Sequence, residues 1–434
     1  MKSIKVINSS EINKETISNY IPRSFTQIAS VKDIVESIIN SVRNEGDDAI
    51  IRFTKQYDNV ELSKNDIRVS KKEISEAYSQ VDPLLLEAIK SAKQNLIKFN
   101  EAQKREDWMR EIEKGVIAGQ VYRPLETIGI YIPGGQAIYP STVLMIAAPA
   151  YVAGIKEIIL CSPPQSDGKV ASEIIVAASE FNITNIYKIG GAQAIAAMAY
   201  GTESVPEVQK IFGPGSIWVN TAKQLVSTVV PIDSPAGPSE ILIIADRTAT
   251  PKYVILDLLS QIEHDPDNVG IIITDSDYLI SQINNTIVDY VSTSKRKDII
   301  TESLKNNTLI IRANNIAECV RISNLIAPEH LEILTENPGD IVSHITNAGA
   351  IFLGENSPVS LGDYSAGTNH VLPTGGTAKN YSGLNLFDFL KTIDVLRCEK
   401  DGLENLSKTT IKFAEFEGLY SHKRSIEERL KDKD

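Results

Sequence analysis

Apolar residues recur at helical spacing through the first third of the chain and in short unbroken runs after it. In VKDIVESIINSVRNEGDDAIIRFTKQYD, the positions Val31, Ile34, Val35, Ile38, Ile39 and Val42 fall on one side of a helical repeat. Pro83 opens a second helix with Leu85, Ile89, Leu96 and Phe99 on one face. These stripes read as packing faces and carry no chemistry. From about residue 128 the pattern changes to β-branched runs that end in Gly or Pro turns. The runs IGIYIPGG (128–135), EIILCSPP (157–164), NIYKIGG (185–191) and KIFGPG (210–215) each predict a buried parallel strand. A second set follows in EILIIAD (240–246), VGIIITDS (269–276), TLIIR (308–312) and AIFLG (350–354).

Strand and helix alternating in two series predict an α/β fold with two Rossmann-like parallel-sheet domains. The chain divides into an N-terminal helical region (1–130) expected to pack with the second domain, a nucleotide-binding domain (131–235), a catalytic and metal domain (236–380) and an extended helical C-terminal tail (381–434). The tail grows more charged toward its end and reads as an appendage reaching over a neighbour. In such sheets ligands sit beyond the carboxyl ends of the strands. That is where the Gly-rich turns fall.

The 434 residues, 42% of them hydrophobic, suffice for two or three domains. No apolar stretch spans a membrane, and the polar opening MKSIKVINSSEINK lacks the apolar core of a signal peptide. The expected location is the cytoplasm. A net charge of −12 argues against nucleic acid or an anionic membrane as the main partner. Cys161, Cys319 and Cys398 form neither a disulfide framework nor a CxxC motif.

With only five histidines, each copy repays separate reading. In TPKYVILDLLSQIEHDPD, Thr250 and Pro251 read as a helix start. Gln261 and His264 are three apart near its end. They read either as half of a metal site or as a helix-ending histidine that benefits from the dipole. GDYSAGTNHVLPTGG places Asp363 and His370 in a loop of turn formers after a buried strand, a usual setting for ligand-binding groups. FEGLYSHKR brings Glu417 and His422 together in the tail. The turns YIPGGQA and IGGAQAIAAMAYG could admit a phosphate or ribose to the backbone, or be tight turns with no ligand, since neither is GxGxxG. In LIAPEHLEIL, Pro328 reads as the first residue of a helix with Glu329 and His330 in its first turn. There the dipole would favour the carboxylate and keep the imidazole neutral, while the two side chains would point apart.

YIPGGQAIYPSTVLM, GGAQAIAAMAYGTESVP, IDSPAGPSEILIIAD, LLSQIEHDP, IAPEHLEI, NAGAIFLG and GDYSAGTNHVLPTGGTA, in this order over nearly the whole chain, resemble the histidinol dehydrogenase family. The resemblance implies oxidation of L-histidinol through the aldehyde to L-histidine with two NAD+ and one zinc ion, in a homodimer whose tails complete each other's sites. It implies Gln261, His264, Asp363 and His422 as metal ligands and Ser239, His370 and Glu417 as further substrate contacts. It places the cofactor against Tyr131 and Gln193. Where the family reads GPGN this sequence has GPGS, so Ser216 stands in for a cofactor-contacting Asn. A serine hydroxyl is shorter and offers no amide pair, so weaker NAD+ binding is expected. The implied roles are His330 as base in both oxidations and Glu329 as activator of the water. Alternatives are a dehydrogenase of another amino alcohol or polyol, and a metal-dependent hydrolase using Glu329 without a dinucleotide. A thiol-dependent aldehyde dehydrogenase would need Cys161 or Cys319 as nucleophile, and both lie in apolar runs that read as core.

Overall fold

The computed structural model describes residues 3–21, 28–134, 138–234 and 237–431. Its strands are β1 Lys5–Asn8, β2 Trp108–Glu113, β3 Val116–Pro124, β4 Thr127–Tyr131, β5 Glu157–Ser162, β6 Asn185–Lys188, β7 Ile211–Phe212, β8 Glu240–Ala245, β9 Val269–Thr274, β10 Thr308–Arg312, β11 His330–Leu334, β12 Ala350–Leu353 and β13 Leu390–Cys398. Two compact units result, residues 1–102 with 126–388, and residues 103–125 with 389–434.

The first unit holds two parallel sheets, as the apolar runs predict. One has four strands in the order β6-β5-β4-β7, the other six in the order β1-β10-β9-β8-β11-β12. Nearly continuous burial along β8, β9 and β10 follows from cover on both faces. Helix Pro251–Ile262, with Val254, Ile255, Leu258 and Ile262, packs one face of the six-stranded sheet. Helix Ile316–Ile326, with Cys319, Ile322 and Ile326, packs the other.

The N-terminal region packs with the second domain only in part, through Ile4, Ile7, Ile12 and Ile21, which are buried in the cores on the six-stranded sheet. Only β1 joins the six-stranded sheet, pairing with β10. Helices Ile28–Glu45 and Asp47–Phe53 instead share a core with β4, β5, β6 and helices Gly191–Tyr200 and Ile217–Val226. Buried Asp47 fixes this docking by accepting from the hydroxyls of Thr202 (2.7 Å) and Ser204 (2.6 Å). Within the predicted stripes, Val35, Ile38, Val42, Ile89 and Leu96 are buried, whereas Ile34 and Phe99 lie exposed at the stripe edges.

In the second unit the region after 381 is not helical throughout. β13 pairs antiparallel with β3 along its whole length, and β2 completes a three-stranded sheet. Helices Lys400–Phe416 and Tyr420–Lys431 then pack on each other. Among the described residues, no helix is long and apolar enough to cross a membrane.

Candidate active site

A cavity of about 570 Å³ lies between the two parallel-sheet domains. One wall follows β4 and β7 and includes Tyr139, Thr142 and the turn Gly213–Ser216. This wall obeys the carboxyl-end expectation. The opposite wall does not: Ser239, Glu240, Glu329 and His330 stand at the amino ends of β8 and β11. Gln261 and His264 arrive there because they end the helix that leads back into β9. Asp363 and His370 close the same wall.

Residues 328–330 also correct the sequence reading. Helix Ile316–Ile326 ends in Ala327 at φ 56°, and Pro328 follows that cap rather than opening a helix. His330 is the first residue of β11, and the backbone of Glu329 already accepts from Ala350 of β12 at 2.9 Å. No helix dipole acts on the pair. Nor do the side chains point apart, since His330 Nδ1 and Glu329 Oε2 are 3.6 Å apart.

His330 is only 3% exposed. Its Nδ1 lies 3.1 Å from the carbonyl oxygen of Glu240. A carbonyl only accepts, so Nδ1 keeps its proton in the neutral ring and Nε2 is the nitrogen that gains or loses the second one. Nε2 has no hydrogen-bond partner among the described residues and lies 3.4 Å from Asp363 Oδ1. Burial by itself would lower the pKa of His330. The carboxylates of Glu329 and Asp363 outweigh burial and raise it to about 9. Glu329, 4% exposed, is pushed up to about 8 by burial, against the pull of His330 and of the Glu240 amide that donates to Oε2 at 2.8 Å. Strand β8 thus holds both groups with a single residue, its carbonyl on the histidine and its amide on the acid.

The remaining predicted residues of this wall form one network. Gln261 Nε2 donates to Asp363 Oδ2 at 3.0 Å, which leaves the amide oxygen as its ligand atom. His370 Nδ1 lies 2.8 Å from the Asp363 carbonyl and Nε2 lies 3.2 Å from Thr142 Oγ1. Burial lowers both His264 and His370, so both imidazoles favour the neutral, ligand-competent form. Burial would raise Asp363, but the contact with His330 outweighs it and keeps this carboxylate ionised. Among the described residues, no group of three or more His, Cys, Asp or Glu is arranged to hold a metal. The donors on this wall are one amide oxygen, one imidazole and one carboxylate, a borderline set that suits zinc and leaves a fourth position open.

Two candidates stand apart. Glu417 caps helix Lys400–Phe416, and His422 lies in the first turn of helix Tyr420–Lys431, both in the second unit. Their neighbours Phe416 and Tyr420 are 90% and 71% exposed, a sizeable apolar surface for a chain end. Of the cofactor candidates, Ser216 lines the cavity as the N-cap of helix Ile217–Val226, its hydroxyl making no capping bond. Tyr131 and Gln193 do not line the cavity. They meet at the Gly190–Gly191 turn beyond β6, where the Tyr131 hydroxyl accepts from the Gly191 amide at 3.1 Å. Gln193 is 1% exposed, yet its Nε2 has no hydrogen-bond partner among the described residues. A buried amide donor left open at a Gly-rich βα turn fits a nucleotide.

Sequence reasoning missed Thr142, Asn268 and Glu240. Asn268 holds the backbones of Ser239 (3.1 Å) and Gln261 (2.8 Å). Glu240 acts through its main chain, which residue type does not signal. Cys161 in β5 and Cys319 in helix Ile316–Ile326 are buried as expected. Burial raises both thiols, that of Cys319 to about 12, which removes the thiolate a nucleophile needs.

The family model for histidinol dehydrogenase matches residues 21–430. The chain belongs to the histidinol dehydrogenase family. A relative named histidinol dehydrogenase from Methanothermobacter thermautotrophicus is 46% identical over 97% of this chain and 99% of its own length. Another from Clostridium acetobutylicum is 44% identical over 99% of both. A crystal structure of histidinol dehydrogenase from Elizabethkingia anophelis superposes with a TM-score of 0.95 at 41% identity, over 99% of this chain and 98% of that one. Family membership makes the chain an oxidoreductase.

Proposed function

We propose that this protein is a zinc-containing, NAD-dependent L-histidinol dehydrogenase that oxidises L-histidinol through L-histidinaldehyde to L-histidine, as a homodimer with shared sites. The observation that carries the reading is His330, held by Nδ1 on the Glu240 carbonyl with Nε2 unpartnered in the cavity and Glu329 beside it.

When bound, NAD+ would accept hydride at each oxidation, and zinc at Gln261, His264, Asp363 and a second copy's His422 would orient the substrate through its imidazole and amine. His330 Nε2 takes the alcohol proton in the first oxidation. Glu329, as carboxylate, takes a proton from the water that adds to the aldehyde, while His330 returns its proton to the aldehyde oxygen and is a free base again. His330 then takes the hydroxyl proton of the resulting hydrate in the second oxidation. A strongly basic imidazole suits two such transfers at one carbon. Ser239, His370 and Glu417 contact the substrate in this reading. Thr142 and the Asp363 carbonyl fix the His370 ring, so that it orients the substrate and does not exchange protons.

The test is NADH formation from L-histidinol with and without a chelator, with NADH counted against histidine. Two NADH per histidine and loss of turnover on chelation are expected. One NADH per product, or activity indifferent to the chelator, would overturn the reading. Faster turnover of another amino alcohol or polyol would redirect it.

A further inference from the structure

Asp58 has no place in the mechanism, and its surroundings are unusual. It ends the helical segment Thr54–Asp58, which the N-terminal helices carry to the four-stranded sheet. There its carboxyl group reaches the Gly190–Gly191 turn. A Cβ built on Gly190 would lie 3.3 Å from Asp58 Oδ1 and 2.6 Å from Pro163 Cβ, so only glycine lets the backbone approach this closely. Gly191 sits at φ +61°, and its amide is taken by the Tyr131 hydroxyl. Asp58 Oδ2 is buried without a hydrogen-bond partner among the described residues. Gln193 Nε2, which flanks the same turn, is also buried and unpartnered.

One open acceptor and one open donor thus flank a glycine turn at the carboxyl end of a parallel strand. Leaving two such groups unpaired costs stability unless a ligand satisfies them. A vicinal diol does so, with an O–H donated to the carboxylate and an oxygen accepting from the amide. A phosphate at the same position would instead set its negative charge against Asp58. We propose that Asp58 and Gln193 form a ribose-diol subsite of the dinucleotide, and that the Asp58 carboxylate rejects a 2′-phosphorylated ribose. The inference rests on the dinucleotide reading given above. Burial raises Asp58 to about 6, so it is ionised above neutrality, as rejection of a phosphate requires. The acid comes from a helix that precedes the sheet, whereas dinucleotide folds commonly take it from the end of the second strand.

The test is equilibrium binding of NAD+, NADP+ and 2′-deoxy-NAD+ to the full-length protein, with L-histidinol binding as the control for folding. Wild type is expected to prefer NAD+ over NADP+ by about a hundredfold, and over the 2′-deoxy analogue by about tenfold, the scale of one charge-assisted hydrogen bond. Asp58→Ala should lower NAD+ affinity by about tenfold and narrow the NAD+/NADP+ ratio by at least that factor. Asp58→Asn should retain part of the NAD+ affinity and lose the discrimination. Equal binding of NAD+ and its 2′-deoxy analogue by wild type would overturn the proposal even if the variants fail to fold. An unchanged ratio in a folded Asp58→Ala would do the same. Binding of neither dinucleotide by wild type would overturn the cofactor reading itself, and this proposal with it.

Discussion

At the scale of single residues, the site reduces to which atom of His330 is free. The Glu240 carbonyl holds Nδ1, so of the two ring nitrogens of His330 only Nε2 is open toward the cavity. Replacing His330 by Asn should slow oxidation of both the alcohol and the aldehyde by about 10²- to 10⁴-fold. Glu329→Gln should spare alcohol oxidation and slow the aldehyde step. Equal losses in single-turnover assays of the two substrates would end that division of labour. The pH dependence follows from the same groups. In the proposed mechanism both act deprotonated, and burial and mutual charge set Glu329 at about 8 and His330 at about 9. The kcat/KM for histidinol should therefore rise with pH through that range, and a profile flat from neutrality upward would contradict it. Ser216→Asn should tighten NAD+ binding, because the amide adds a donor where the serine hydroxyl makes no capping bond to this helix start. Titration calorimetry with unchanged affinity would show the serine to be an adequate replacement. The residue types of the site were readable from sequence, since scarce histidines fell beside carboxylates and amides. The contacts that hold them were not, because the Glu240 peptide and the Asp363 carbonyl present the same chemistry in every residue.

At the scale of elements, the sequence signal tracked burial. Strands with two covered faces, such as β5 and β8, gave unbroken β-branched runs and were legible. The exposed strand β2 and the mostly exposed β13 gave neither alternation nor an apolar run, so the antiparallel sheet stayed hidden. β11 was misread because a proline before an acid is as compatible with the residue after a helix cap as with a helix start. That error concealed Glu332. It stands in mid-strand, fully buried, and its carboxyl group faces that of Asp257 of helix Pro251–Ile262. Burial first, and then the charge of Asp257, raise Glu332 to about 9. Unfolding returns it to an ordinary carboxyl value, so the folded state binds the extra proton between the two. Stability is then fully present below the unfolded pKa and is lost as pH rises toward 9. Thermal unfolding should show a melting temperature that falls as the buffer goes from about pH 5 to about pH 9. Glu332→Gln keeps a neutral side chain at every pH and should reduce that slope, leaving the share of Glu329 and His330, and parallel slopes for the two proteins would refute the assignment.

At the scale of the whole molecule, the question is where the fourth ligand of the proposed zinc site would come from. The first unit supplies an amide oxygen, an imidazole and a carboxylate on one cavity wall, one short of a closed tetrahedral site. The second unit carries Glu417 and His422 close in sequence to Phe416 and Tyr420, both largely exposed. Removing the tail from Lys412 leaves β13 paired with β3 and β2, so the sheet should survive while metal retention and activity are lost. That result would show that the tail is needed, without showing which subunit uses it. Complementation separates the two cases. An Asp363→Ala chain has a damaged cavity and an intact tail, and a His422→Ala chain has the reverse, so each homodimer should be inactive. If tails cross between subunits, a mixed dimer places both lesions in one site and leaves the other intact. Random reassociation of equal amounts makes about half the dimers mixed, so activity should recover to about a quarter of wild type. If each tail served its own cavity, every site in the mixture would carry one lesion and no activity would return. One zinc bound per mixed dimer, against none in either parent, would give the same answer without any turnover.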